Sequence, residues 1–371
     1  MMSAVRRYKE LAQTCAEDWS RELISVSHDI HACPEVAFQE YRAARRVAET
    51  LASHGFTARR GRYGLPTAVD ATFGSGDLVI AVCAEYDALP EIGHACGHNI
   101  IAAAAVGAGL ALARVADDIG VTVKILGTPA EESGGGKILM LERGAFDGVH
   151  AVMAIHPGPF DSDYVPCRPV ACAELMVTFL GENGQRRVNK IAESAIMALE
   201  DLDPADRIGY VPVAQEPSRS TARCSLESMT LGSLLELERR VSTCLEAVAS
   251  ATQNSVSVVR EEPPYSHFAS DEELESCYAA NLRALGRTPG PHDDDVRYST
   301  DLANVSLVVP TISPCVGIES GTSVNHDADF TAYCVGPSAD AAVLRGAAAM
   351  AWTAIDAATN DLIRARLRAR P

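Results

Sequence analysis

The chain has 371 residues, which at roughly 150 residues per domain suggests two domains and ample length for a buried core. Its 47% hydrophobic and 22% charged residues, with 27 Gly and 19 Pro, fit a globular protein and exclude collagen-like and disordered classes. The 32 Lys and Arg against 49 Asp and Glu leave a net charge of −17, a field that repels phosphate backbones and argues against nucleic acid as a partner.

The start, Met1 to Cys15, is polar and charged without the apolar centre of a signal peptide. The longest apolar run, Ile100 to Ala113, is too short to span a bilayer, so no membrane partner is expected. Eleven cysteines, an odd number without any Cys-x-x-Cys pair, do not resemble a disulfide framework, and a reducing cytoplasm is the expected compartment. From Tyr8 to Leu51 the pattern is helical and amphipathic, interrupted at Cys33-Pro34-Glu35. Leu78 to Cys83, Val121 to Leu126 and Val149 to Ile155 are β-rich, and the Ala-rich Asn99 to Val115 lies between the first two. This predicts an α/β catalytic domain whose largely parallel sheet is flanked by helices.

From Ala173 to Val259 the order of strand-like and helix-like stretches is β-α-β-β-α-β, which predicts a separate ferredoxin-like lid domain. Val188, Ile191, Ala195, Leu199 and Leu202 recur at spacings of three and four on its first helix; Leu234, Leu237, Val241, Leu245 and Val248 do so on its second. The α/β texture resumes after Pro263-Pro264 and ends in an Ala-rich helix from Ala339. The lid, residues 173–263, is therefore expected as an insertion into a catalytic domain formed by 1–172 and 264–371. Asp293-Asp294-Asp295 reads as a solvated loop.

Chemistry concentrates at predicted strand ends. Ala84-Glu-Tyr-Asp87-Ala-Leu-Pro-Glu-Ile-Gly-His-Ala-Cys96-Gly-His98-Asn99 follows the first buried strand. Within it Cys96 and His98 flank one glycine, so a thiolate and an imidazole can face one cavity. Taken alone the pair reads as a buried cysteine beside a helix-entry histidine. The next strand ends in Pro129-Ala-Glu131-Glu132 before a glycine-rich loop. One of these carboxylates can bind a metal while the other takes a proton from activated water and passes it to a leaving group. His156 closes the third strand and His326 follows a further apolar segment. Groups at the carboxyl ends of parallel strands converge on one crevice. A single zinc takes about four ligands, so a Cys, Glu and His set of five suits two ions with one bridging thiolate. Asp87 joins the candidate catalytic set as the carboxylate that orients a ligand imidazole, with turn capping as the alternative.

These segments resemble the two-metal exopeptidases and amidohydrolases that include aminoacylase, carboxypeptidase G and succinyl-diaminopimelate desuccinylase. The likeness is strongest to the branch with a metal-bridging cysteine, that of aminobenzoyl-glutamate, auxin-conjugate and β-alanyl-lysine-type amidohydrolases. His31-x-x-Pro34-Glu35, Tyr86 to Pro90, Gly93 to Asn99, Pro129 to Glu132, Ile155-His156, Ser299 to Ser306 and Asn325-His326 carry it, over nearly the whole chain. The resemblance implies that Cys96 bridges two divalent ions, zinc or manganese ahead of cobalt or nickel, with His98, Glu132, His156 and His326 as the other ligands. It makes Glu131 the general base and acid for hydrolysis of a C–N bond in an N-acyl amino acid, amide or dipeptide-like small molecule. A homodimer through the lid is implied as well.

Three lid features of relatives are altered. No histidine follows Gly181, Pro212 to Pro217 replaces an Ala-Pro-Asn run, and Glu227 stands in the place of an arginine that grips a substrate carboxylate. Gln185, Arg186, Arg187 and Lys190 are candidates for the missing oxyanion donor, against a polar helix start at the surface, and Asn325 is a further substrate-binding candidate. His267 is a weaker substitute. The altered lid keeps open a repurposed biosynthetic enzyme that forms or rearranges an amide on the same metal site, and a non-catalytic binding relative.

Overall fold

The computed structural model describes residues 4–159, 163, 169–181, 185–199, 202–290 and 297–369; the side chains of Gln185 and Arg186, and the acidic run 293–295, lie outside the described residues. In chain order the strands are β1 (Thr57–Arg60), β2 (Val69–Phe73), β3 (Leu78–Glu85), β4 (Val121–Thr128), β5 (Ala151–Met153), β6 (His156–Gly158), β7 (Ala171–Leu180), β8 (Arg207–Gln215), β9 (Arg219–Ser228), β10 (Ser255–Arg260), β11 (Thr311–Ile312) and β12 (Cys315–Gly317). Five helices position the site and the two cores: α1 (His98–Ala113), α2 (Gly136–Glu142), α3 (Gln185–Met197), α4 (Leu231–Ala251) and α5 (Pro337–Thr359). The chain divides into two compact units, one of Met1–Cys167, Ala269–Asp295 and Val305–Pro371, the other of Arg168–Phe268 and Val296–Asn304.

The first unit is built on a six-stranded sheet in the order β1-β2-β4-β3-β5-β11. The contiguous strands β4, β3, β5 and β11 are parallel, whereas β1 and β2 run antiparallel at one edge, so the sheet is mixed. Every residue of β3 except Val79 is buried, as expected of a central strand covered on both faces. Its register sets Ala84 beside Gly127 and Glu85 beside Thr128, so β3 and β4 end level and deliver their following loops to the same place. The third predicted strand breaks after Met153: β5 ends there, and β6 starts at His156 and pairs with β12 instead. That break turns His156 out of the main sheet at its carboxyl end.

Helix α1 has no polar face, and His98 through Leu112 are all buried. Small residues let its neighbours approach: a methyl group on Gly107 would lie 2.8 Å from Ala347 Cβ on α5 and 2.9 Å from Leu23 Cδ1. The imidazole of His98 is therefore seated on a helix that cannot shift without disturbing the core.

The second unit is a four-stranded antiparallel sheet in the order β10-β7-β9-β8, with α3 and α4 covering one face. Strict alternation along β7 buries Ala171, Ala173, Leu175, Val177 and Phe179. On α4 the five apolar residues expected at the core are all buried. On α3 the buried stripe is Val188, Ala192 and Ile196, while Ile191 is 38% exposed, so the stripe is rotated from the expected one. Spacings of four carry it from Val188, and the smaller Ala192 takes the inward position.

Candidate metal centre and catalytic carboxylates

All five proposed ligands come from the first unit. After β3 the chain turns through the Cys96-Gly-His98 segment, where Gly97 adopts φ +83° and any Cβ would lie 2.6 Å from Pro157 Cγ. Glycine is thus required both for the left-handed backbone and for the close approach of the His156-Pro157 segment. Cys96 Sγ lies 3.4 Å from His156 Nε2. His326, itself left-handed at φ 73°, is tied down by its backbone N–H, which donates to the Ala95 carbonyl at 2.9 Å.

Cys96, His98 and His156 present donor atoms within 4.8 Å of one another, and so do Cys96, Glu132 and His326. Cys96 is common to both groups. His98 Nε2 and Glu132 Oε1 are buried without a hydrogen-bond partner, which costs free energy unless a cation satisfies them. A thiolate, three imidazoles and a carboxylate form a donor set suited to zinc-like divalent ions, so the residues present fit a metal pair.

Asp87 holds the set in orientation. Its Oδ1 lies 3.0 Å from His98 Nδ1 and its Oδ2 accepts from the Glu132 backbone N–H at 2.9 Å. The first contact turns His98 Nε2 toward the other donors, and the second fixes the start of the Glu132 side chain. Asn325 Nδ2 donates to the Pro157 carbonyl at 3.1 Å and to the Cys96 carbonyl at 3.3 Å, so this amide braces the loops that carry three of the candidate ligands. Arg187 is exposed on α3 of the second unit.

Several groups that shape the site were not singled out in the sequence. Glu40 accepts from the N–H of Phe38 at 2.8 Å and of Ala130 at 2.9 Å, and burial pushes its carboxyl up to about 7. It pins Ala130, at φ 59°, immediately before Glu131. Glu85, at the end of β3, meets the fully buried Lys137 Nζ at 2.7 Å. The sequence carries little signal for that pair, because a lysine directly after Gly134-Gly-Gly136 reads as an exposed loop residue.

Burial drives the titration of these groups in opposite directions. Glu131 is pushed well above the usual carboxylate range by burial, with Glu85 adding to it. Burial acts the same way on Glu132, but its bond to His326 and the neighbouring His98 outweigh it and hold the carboxyl low. Burial and the Glu132 charge raise the Cys96 thiol. His98 is disfavoured as a cation by burial, yet Asp87 and Cys96 overcome this and raise it well above the ordinary value. Burial lowers His156.

This fold and donor set define a metal-dependent amidohydrolase. Residues 81–353 match the family model described as Peptidase family M20/M25/M40. The chain is 33% identical over 384 residues to the Xaa-Arg dipeptidase of Mus musculus, covering 94% of this chain and 88% of that one. It is 29% identical over 153 residues to the N-acetyl-L-cysteine deacetylase of Bacillus subtilis, covering 38% of this chain and 37% of that one. The crystal structure of Bacillus subtilis YXEP protein, a dinuclear metal-binding peptidase from the M20 family, superposes with a TM-score of 0.74 at 19% identity, over 91% of this chain and 98% of that chain. The chain belongs to the M20/M25/M40 peptidase family.

With Cys96 and His98 as candidate ligands, metal binding should release protons, because a raised thiol and imidazolium deprotonate on ligation. Apparent affinity of the metal-free protein for Zn(II) should therefore rise as pH rises. Titration calorimetry in two buffers of different ionisation enthalpy reads this directly, and equal heats in both would refute it.

Proposed function

We propose that the chain hydrolyses the amide bond of a dipeptide-like or N-acyl amino acid substrate on a pair of divalent ions, zinc or manganese before cobalt or nickel. The observation that carries this is Cys96 shared between two donor groups, with Glu131 3.7 Å from His98 Nε2, next to Glu132 in sequence and a member of neither group. His98 and His156 complete one position, Glu132 and His326 the other. When bound, the ions polarise the scissile carbonyl and acidify water. Glu131 takes the proton of the attacking water on a carboxylate oxygen and returns it to the amine that leaves, a role suited to a carboxyl whose proton affinity is raised by burial and by Glu85 beside it. Asp87 keeps the His98 ring from turning, and Asn325 keeps the ligand loops together. Membership of a hydrolase family supports this over amide formation or a silent binding protein.

The purified protein should carry two metal equivalents by elemental analysis, sharply reduced in Cys96→Ala. Glu131→Gln should keep its metal and lose about 10²- to 10⁴-fold in kcat. A metal-free wild-type chain, or a fully active Glu131→Gln, removes this reading.

The substrate reading is a dipeptide with a basic C-terminal residue. Its support is the 33% identity to an Xaa-Arg dipeptidase over nearly the full chain, together with Glu227 standing where the family resemblance places an arginine that grips a substrate carboxylate. There Glu227 pairs in register with Cys172 on one side and Arg207 on the other, and Glu174 is raised by burial, with Arg223 opposing and Glu261, Glu262 and Glu227 adding to it. Carboxylates attract a cationic side chain and repel an anionic one. Amine release from alanyl-arginine and alanyl-lysine should exceed that from alanyl-glutamate, and Glu227→Arg should narrow the ratio through KM. The opposite preference in the wild type excludes it.

Pairing of two chains through the second unit belongs to the same reading. Its edge strand β8 exposes Val211 at 62% and Val213 at 56%, a surface suited to strand addition. Sedimentation velocity should give a dimer that Val211→Lys dissociates; a wild-type monomer rules the pairing out.

A further inference from the structure

Besides the two groups that share Cys96, a third set of donors lies within 4.8 Å: Glu85, His98 and Glu131. It competes with the first group because both need His98 Nε2, which can ligate only one ion. That nitrogen faces Glu132 Oε1 at 3.6 Å, Glu131 Oε2 at 3.7 Å and Glu85 Oε2 at 3.8 Å. Distance alone does not decide among three carboxylates so evenly placed. An ion seated between Glu85, His98 and Glu131 would abandon the thiolate and occupy the carboxylate needed to move protons.

What distinguishes Glu85 is its partner. Lys137 Nζ sits 2.7 Å from Glu85 Oε1, with the lysine side chain 0% and Glu85 4% exposed. An ammonium taken out of water is held only by such a pair, and it repels any second cation brought to the same carboxylate. The backbone leaves the lysine little freedom. Gly136, one residue before it, passes so close to the Pro129 carbonyl that a Cβ would lie 1.8 Å from that oxygen. Helix α2 then starts with its first residues buried.

We propose that Lys137 is a positioning residue that sets the chain's own charge on Glu85 at the edge of the third cation position, withholding Glu85 from the metal and directing the His98-bound ion to Cys96 and His156. The inference rests on the two-ion reading above and adds a determinant of where one ion sits. It makes the Glu85–Lys137 pair, neither of whose members is a ligand, part of the selectivity of the centre.

The test uses the full chain loaded with Co(II), whose thiolate-to-metal absorption reports ligation by Cys96, alongside metal counting by elemental analysis. In Lys137→Met the absorption per chain should fall to about half at an unchanged metal count, because one of the two ions leaves the sulfur. Lys137→Arg, which keeps the charge, should retain the wild-type spectrum. Glu85→Gln/Lys137→Met, which removes the competing carboxylate with the ammonium, should restore the absorption. Wild-type absorption in Lys137→Met overturns the proposal and leaves the two-ion reading intact. Should Lys137→Met not fold, the neutral double variant decides: reduced absorption there overturns the proposal too. A wild-type chain that takes up no Co(II) overturns both.

Discussion

Four carboxylates converge on one buried imidazole, and the rest of the site follows from the need to balance them. Around His98 lie Asp87 at 3.0 Å, Glu132 at 3.6 Å, Glu131 at 3.7 Å and Glu85 at 3.8 Å. Removing several anions from water together is prohibitive unless positive charge or protons accompany them. Each carboxylate is answered differently. Lys137 holds Glu85, the His98 ring faces Asp87, His326 meets Glu132 at 3.4 Å, and Glu131 is driven toward its protonated form. Divalent ions held by the two candidate groups that share Cys96 would add positive charge to the same balance.

The strand ends that carry this chemistry were legible in the sequence because β-rich runs stop abruptly at residues with no reason to be apolar. Glu131, Glu132 and His156 stood out in that way, Cys96 and His98 as a pair flanking one glycine, and His326 after a further apolar segment. Glu85 and Lys137 did not. Glu85 reads as the polar end of a strand, and Lys137 as one charge in a loop rich in glycine; only the tertiary packing that buries both makes them a pair. Glu40 was hidden for the same reason, since its partner Ala130 is 90 residues away. The inward face of α3 was misread because Ile191 is the bulkier residue, whereas the space against the sheet admits Ala192. The antiparallel edge formed by β1 and β2 escaped notice because neither strand shows a long apolar run.

Geometry in this site is held by backbone as much as by side chains. Ala130 and His326 are non-glycine residues in the left-handed region, and each directly precedes or supplies a functional group. Such conformations cost about 1 kcal/mol or more and persist where surrounding contacts over-determine them. Here Glu40 fixes Ala130, and the Ala95 carbonyl fixes His326. Gly97 and Gly136 allow two further backbone approaches that no other residue could make. The candidate donors are thus held by backbone contacts that do not themselves involve an ion. On the two-ion reading, such a site would gain from fixed charge near the carboxylates, because the same loops that hold the candidate donors also hold Glu85 and Glu131 within reach of His98.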